Sequence, residues 1–375
     1  MESSVKFIFN PEHDLCLASG DVNFIPPAAA VRFAQQGKWI EKFMRAPQGV
    51  QGCGGAADSS ARMAGDIASC ISGNAVGNIV PWGWNAVLKR KLIDEGCPLG
   101  VLPSDEEVEF IRENSRRELA VELLDRLQEL QFPEPQNISE VTETTAASAQ
   151  IIPSTYRIIA KSLEEIELFL SRIKRVVLKA PLSGSGKGIR FVTGELMETD
   201  RGWCRKTLQK QGAVIVEQRM EVQQEFAMLF ECTPAAERPY GNVIFRGYSM
   251  FYARNGAYKG NILASNEHIE NTLTQWIPKG MLYKVQEEIA QWLDEKLSGK
   301  YTGFIGVDQF ICPHNGTILY NPAMEINLRM TMGLIARNIY DYHKEEYALG
   351  EGTHCFEPER GIILLPCSGS PQTLL

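Results

Sequence analysis

The sequence predicts an α/β domain at the N-terminus followed by an α+β region built on antiparallel sheets. Three observations predict it. Val5 to Phe9 reads as a buried strand, and two helix-like stretches follow it at 28–44 and 85–95. From about residue 175 the texture changes to many strands, and from Ser162 onward only two long helices are expected. That pattern favours an antiparallel α+β arrangement over a doubly wound parallel sheet. Finally, Asn315-Gly316 lies between two apolar runs and is a strong signal for a two-residue hairpin turn.

Taken in order, the first strand leads into a loop, Asn10-Pro11-Glu12-His13-Asp14. Pro26-Pro27 breaks the chain ahead of the helix at 28–44. Residues 49–83 hold eight glycines with many Ala and Ser, and loops and short elements are expected there. Trp82-Gly83-Trp84 closes that stretch, and a helix over Asn85–Glu95 follows. Ser104 to Leu130 has helical periodicity, with Leu119, Leu123, Leu127 and Leu130 on one face. Residues 132–152 are polar and interrupted by Pro133 and Pro135, the composition of a mobile connection. Ser162 with Glu165 signals a capped helix whose apolar face is Leu163, Ile166, Phe169, Leu170 and Ile173. Strands are expected at 176–180, 189–193, 213–218, 225–231, 242–253, 304–312 and 317–327. An amphipathic helix at 281–297 turns Leu282, Val285, Ile289, Trp292 and Leu293 inward.

Composition narrows the function. Hydrophobic residues make up 44% and charged residues 22%, so a folded chain is expected, and 375 residues can bury a core without staples. The formal charge of −8 lacks the basic stripe that a nucleic-acid binder uses to displace counterions, and it disfavours anionic membranes. No apolar run of about 18 residues is present, so no membrane span is expected. The nine cysteines are scattered without C-x-x-C spacing, which argues against a disulfide framework or a cysteine zinc site. With no export signal in MESSVKFIFNPEHDL, a cytoplasmic location is expected. The histidines show no metal-binding spacing. His13 could reach a site from its loop or serve the structure. Nothing matches a nucleophile elbow.

Three constellations could carry chemistry. The first is Lys179 inside an apolar strand, followed by Ser183-Gly184-Ser185-Gly186-Lys187-Gly188 and a returning strand. A buried lysine needs an anionic partner, and a Ser/Gly loop lets backbone N–H groups approach phosphate oxygens. The order of residues differs from a Walker A loop, and no helix follows. The alternative is a flexible hairpin whose lysine snorkels to solvent. The second is Asp308, Glu325 and Asn327. With Asn315-Gly316 as the turn, residue 308 faces 323, and Glu325 lies diagonal to Asp308 on the same face as Asn327. Oxygen ligands of this kind suit Mg²⁺ held jointly with phosphates. A one-residue bulge at Pro322 would flip the parity and leave a solvated hairpin face. The third is the apolar strand ending in Glu217-Gln218, with Glu225 beyond it. It could wall a purine or be an ordinary strand end.

The ordered set resembles the ATP-grasp superfamily, which includes D-alanine–D-alanine ligase, glutathione synthetase and biotin carboxylase. It comprises the lysine strand and Ser/Gly loop, Val-Ile-Val-Glu at 214–217, Glu225, Gly-Val-Asp at 306–308, and Met-Glu-Ile-Asn-Leu-Arg at 324–329. The resemblance covers about residues 105–340. It implies an ATP-grasp fold of two lobes with antiparallel sheets clamping ATP. The implied divisions are an N-terminal domain at 1–104, a smaller lobe at about 150–216 and a larger lobe at about 217–345 within 105–345, and a C-terminal extension at 346–375. It further implies that Lys179 holds the ATP phosphates under a lid of Ser183, Gly184, Ser185, Gly186, Lys187 and Gly188. Glu217 and Gln218 would read adenine, Glu225 the ribose, and Asp308, Glu325 and Asn327 would bind Mg²⁺ or Mn²⁺. Arg329 would lie near the transferred phosphate or acyl group, and Arg246 and Lys259 are further candidates for phosphate contact. The chain departs from the family at Leu328, where Pro is common, and at Arg116-Arg117, where a lysine is usual.

The activity this implies is ATP- and Mg²⁺-dependent ligation of a small-molecule or peptide carboxylate to an amine or similar nucleophile through an acyl phosphate. Positioning and charge neutralisation, without a protein nucleophile, would do most of the catalysis. The same fold could instead transfer phosphate to a hydroxyl, or bind nucleotide without turnover.

Overall fold

The computed structural model describes residues 5–47, 78–132, 149–184, 188–234, 242–254 and 257–365. Most of 49–83 and of 132–152, the lid residues Ser185, Gly186 and Lys187, and the last residues of the chain lie outside them. In the N-terminal unit, β1 (Lys6–Ile8) pairs in parallel with β2 (Ile79–Pro81). The expected loop at 10–14 becomes helical from His13: α1 spans His13–Ser19 and stops at Gly20, whose φ of 67° favours glycine. α2 (Ala28–Gln36) begins as expected and tightens into a 3₁₀ helix over Gly37–Phe43. Asn85 caps α3 (Ala86–Asp94), its side chain accepting from Leu88 N–H.

The single helix expected over Ser104–Leu130 is two, α4 (Asp105–Asn114) and α5 (Glu118–Gln128). The break has a physical cause. Ser115 Oγ donates back to the Ile111 carbonyl, and the Arg117 N–H leaves the helix ladder to donate to Pro181 O at 3.0 Å. Leu119, Leu123 and Leu127 are buried, as their spacing predicts.

Next come β3 (Ala149–Ile151), β4 (Arg157–Ala160), α6 (Leu163–Arg172), β5 (Arg175–Lys179), β6 (Ile189–Thr193), α7 (Glu198–Gln211) and β7 (Val214–Gln218). β4, β7, β5 and β6 form a four-stranded antiparallel sheet in that order. Ile166, Phe169 and Leu170 of α6 pack on Val176, Leu178, Val192, Val214 and Val216 to make the core of this smaller lobe. The sheet runs through Gln218, so Glu217 and Gln218 belong to it and not to the larger lobe.

The remaining elements are β8 (Gln224–Cys232), β9 (Val243–Arg254), β10 (Ala257–Leu263), α8 (Asn266–Leu273), α9 (Lys279–Leu297), β11 (Gly303–His314), β12 (Thr317–Asn327), α10 (Met332–His343), β13 (His354–Glu357) and β14 (Gly361–Leu364). They build an eight-stranded sheet, β14-β13-β10-β9-β8-β11-β12-β3, antiparallel except for β12 with β3. Alternation along β8 decides its two faces. Phe226, Met228 and Phe230 join α5 and α9 in one core, whereas Ala227 and Leu229 join α10 in another. The second core also takes Phe9, Ile40, Phe43, Val80 and Trp82, so the described N-terminal unit shares its apolar interior with the larger lobe. β13 and β14 extend the large sheet, so 354–364 is part of that lobe and not a separate C-terminal extension.

The described residues thus form an α/β N-terminal unit and two lobes, one on an antiparallel sheet and one on a sheet antiparallel except at β3, the arrangement the sequence predicts. Among the described residues no helix is long and apolar enough to cross a membrane.

Candidate functional site

The β11–β12 hairpin turns at Asn315 and Gly316, both at positive φ (49° and 80°), and His314 pairs with Thr317 as expected. The register then changes. Phe310 pairs with Asn321, but Asp308 pairs with Glu325, so two extra residues of β12 are absorbed around Pro322. Ala323 N–H donates to Asn321 Oδ1 at 3.0 Å within this bulge. Pro322 lies beyond the end of β3, which pairs only with Ile318–Tyr320, so its missing N–H leaves no ladder bond broken. The bulge is even, so parity survives. Asp308 and Glu325 stand directly opposite each other, where diagonal placement was expected, and Asn327 follows on the same face opposite Gly306.

Burial, and then the neighbouring Glu325 carboxylate, push the Asp308 carboxyl up to about 7. Asn327 Nδ2 donates to Asp308 Oδ2 at 3.1 Å. Arg329 donates from Nη2 to Asn327 Oδ1 at 2.8 Å, and its Nε and Nη2 hold both oxygens of Asp14, each at 2.8 Å. Burial raises the Asp14 carboxyl, but the Arg329 guanidinium outweighs it and holds the group below its ordinary value. Asp14, Ser183, Glu325 and Arg329 line one pocket.

Lys179, near the end of β5, is buried, and its ammonium lies 2.7 Å from Glu217 Oε2. Buried Arg157 of β4 lies 3.0 Å from the other Glu217 oxygen and also donates to the Ala323 carbonyl of the hairpin bulge. Burial raises the Glu217 carboxyl, but Arg157 and Lys179 outweigh it and keep the group below its ordinary value. Glu225, at the start of β8, is raised by burial, with Lys179 partly offsetting the effect.

Between the lobes sits Arg117, which is buried. One Nη donates to Ala180 O at 2.6 Å and Ser183 Oγ at 2.8 Å on the small-lobe loop, and the other to Glu325 Oε1 at 2.9 Å. The loop itself is pinned at its base. Ala180 N–H donates to Gly188 O, and Gln211 makes two bonds to the Leu182 backbone. A Cβ on Gly188 would stand 2.2 Å from Ser183 Cβ, so only glycine lets the two ends of the loop meet. A Cβ on Gly184 would come within 3.0 Å of Leu15, where the loop touches α1.

The structure thus brings Lys179, Ser183, Glu217, Glu225, Asp308, Glu325, Asn327 and Arg329 into one cluster of contacts and fields. Glu217 has its carboxylate engaged by two cations, and its backbone lies in β7, between β4 and β5. Arg246 is not in the cluster. It pairs with Glu231 at 2.6 Å, six residues along β8 from Glu225, or about 20 Å. Lys259 is exposed. Arg116 pairs with Glu118 and Gln211 O, so Arg117 is the arginine that enters the site. His13 is buried, with Nδ1 3.3 Å from Asn85 Nδ2, and burial lowers it to about 4. Sequence reasoning did not select Asp14, Arg157 or Gln211. The only signal was the position of Asp14 in the loop after β1.

The donor set suits a divalent cation. Asp308 is a partly buried carboxylate facing a second carboxylate, and although Arg117 holds Glu325 and Arg329 acts on Asp308, the Asp308 carboxyl stays raised, a state that a cation would relieve. Among the described residues no three His, Cys, Asp or Glu converge as a complete metal cage. Two carboxylates and an amide oxygen fit a hard cation that completes its shell with phosphate oxygens and water, the habit of Mg²⁺.

No family model and no curated protein matches the chain. Solved structures do. N5-carboxyaminoimidazole synthetase from Staphylococcus aureus, complexed with ADP, is 13% identical, over 92% of this chain and 73% of that one, with a TM-score of 0.41. The biotin carboxylase domain of Hydrogenobacter thermophilus 2-oxoglutarate carboxylase, complexed with MgADP and bicarbonate, is 16% identical, over 71% and 53%, at 0.43. Biotin carboxylase from Campylobacter jejuni, in complex with β,γ-ATP, is 15% identical, over 80% and 59%, at 0.41. The chain spans between half and two thirds of the length of these two carboxylases.

Proposed function

We propose that the chain is an ATP- and Mg²⁺-dependent ligase that joins a carboxylate to an amine or similar nucleophile through an acyl phosphate. The observation that carries this reading is the Arg117 bridge. One buried guanidinium touches the Ser183 loop on one lobe and Glu325 on the other, so a phosphate-cradling loop and a pair of cation-binding carboxylates face each other across a single side chain.

In this reading Lys179 and Arg117 meet the phosphate oxygens of ATP, and Glu217 keeps Lys179 aimed there before the nucleotide arrives. Ser183 and Gly184, at the described start of the Ser/Gly loop, lie beside the phosphates. Glu217 and Gln218, at the end of β7, lie beside adenine, and Glu225 beside the ribose. Asp308, Glu325 and Asn327 hold Mg²⁺, or Mn²⁺ in its place. When bound, the cation offsets phosphate charge that the protein's own cations leave. A substrate carboxylate oxygen attacks the γ-phosphorus and the bond to the β-phosphate oxygen breaks, releasing ADP. The amine then attacks the acyl carbon, and inorganic phosphate leaves with the electron pair as the amine loses a proton. The chain's own contribution is alignment and preorganised charge.

The test is an ADP-release screen over amino acids, dipeptides and other small carboxylates, with hydroxylamine as the trap. A hydroxamate formed together with ADP supports the acyl phosphate. ADP release with a phosphorylated hydroxyl and no hydroxamate would replace the ligase by a phosphotransferase. Absence of Mg·ATP binding would remove both.

A further inference from the structure

Asp14 and Arg329 are 315 residues apart in sequence, yet both Asp14 oxygens are taken by one guanidinium. Arginine has five N–H donors. Here two go to Asp14, one to Asn327 Oδ1, and one from Nη1 to the Met330 carbonyl at 3.0 Å, which leaves a single N–H. Arg329 is therefore occupied as a brace, with little left for a substrate. Asn327 is held at its oxygen by Arg329, and its nitrogen is thereby turned toward Asp308. An amide oxygen has a second lone pair, so Asn327 Oδ1 keeps an acceptor free while Arg329 holds it.

The placement of Asp14 is itself built. Asn10 Nδ2 donates to Gly83 O at 2.9 Å, and the Gly83 N–H donates back to Asn10 Oδ1 at 3.4 Å. Asn85 spends its oxygen on the α3 cap, which turns its NH₂ toward His13. A Cβ on Gly83 would lie 2.6 Å from the His13 ring, so glycine is required for this docking. The buried histidine thus serves as an anchor one residue before Asp14.

We propose that Asp14 is a positioning residue, which sets the cation-binding end of the β11–β12 hairpin by holding Arg329, and through it Asn327 and Asp308. The inference rests on the nucleotide and cation reading given above. It makes the N-terminal unit part of the site's metal affinity through a residue that is not itself a ligand.

The test measures Mn²⁺ binding by electron paramagnetic resonance on the full-length protein with ADP present, and ADP binding without metal. Asp14→Asn keeps the shape and removes the charge. It should raise the Mn²⁺ dissociation constant about 10- to 100-fold, the cost typical of losing a partner that orients a metal ligand. Metal-free ADP binding should stay within about twofold. Arg329→Lys breaks the same link from the other end and carries the test if Asp14→Asn does not fold. The double variant should be no weaker than the worse single one. Wild-type Mn²⁺ affinity in a folded Asp14→Asn or Arg329→Lys protein overturns the proposal and leaves the nucleotide reading standing. So does an equal loss of ADP binding with and without metal, which would mark the pair as simple domain docking. If the wild-type protein binds no Mn²⁺ with ADP, the nucleotide reading fails and the proposal fails with it.

Discussion

Replacing Asp308 by asparagine should stabilise the ligand-free protein, and only at neutral to alkaline pH. Asp308 is partly buried opposite Glu325, and its carboxyl is raised from 3.8 to about 7. A raised carboxyl means that the native state binds a proton more tightly than the unfolded state does. Between about pH 4 and pH 7 the native chain keeps that proton while the unfolded chain has lost it, so stability falls as pH rises through this window. A rise of roughly three units at 1.36 kcal/mol each sets a ceiling of about 4 kcal/mol. Asp308→Asn removes the titrating group and keeps a polar side chain beside Asn327. The assay is urea denaturation of the wild-type and variant proteins at about pH 3.5 and pH 8 without nucleotide, on either side of the window. At the acid end the two should be similar. At pH 8 the variant should be more stable, by up to the ceiling. Mg²⁺ with ATP should close the gap by stabilising only the wild type, and the variant should release no ADP. A difference that does not change with pH, or a variant less stable than wild type at pH 8, refutes the reasoning that burial and Glu325 strain the ionised group.

Glu217→Gln should destabilise the free protein by about 3–5 kcal/mol, because two buried cations, Arg157 and Lys179, lose their partner; denaturation with and without Mg·ATP should show the loss shrinking when phosphate can replace the carboxylate. Lys179→Ala should weaken ATP binding and abolish ADP release in a folded protein, and wild-type activity would make the lysine purely structural. Gly188→Ala should impair nucleotide binding well before it lowers the melting temperature, since its Cβ would collide with Ser183 and open the base of the loop. ATP at 100 times its dissociation constant should stabilise the protein by about 2.7 kcal/mol in Mg²⁺, and GTP should do less; equal shifts would count against an adenine hinge at Glu217 and Gln218.

What the sequence by itself determined follows from rules that act over a few residues. Asn315-Gly316 supplies the two positive φ angles of its turn, Ser162 and Ser104 cap their helices, and the leucines of α5 repeat at the helical period. Lys179 stood out because a charge in an apolar strand needs a partner, and Asp308, Glu325 and Asn327 because alternation puts them on one face. Pro322 announced a bulge without announcing its size, and an even bulge is what kept the three on that face while moving Glu325 directly opposite Asp308.

Tertiary structure alone decided the partners. Arg116 and Arg117 are adjacent and chemically identical. The departure of the Arg117 N–H to Pro181 O turns only the second into the site, and its tie to Glu325 spans 208 residues. Arg157 is an ordinary strand residue until β4 docks against β7, and β13 and β14 are four-residue runs without a partner until the large sheet accepts them. Asp14 is the clearest case. One carboxylate in a loop after a strand has no period, no spacing and no local partner, so nothing near it in sequence distinguishes it. It acquires Arg329 only because α1 is anchored through Asn10, His13, Gly83 and Asn85, and because the N-terminal apolar residues complete the core beneath α10. Such ion pairs depend on distances of a few ångströms between segments hundreds of residues apart, and those distances are set by packing of the whole chain.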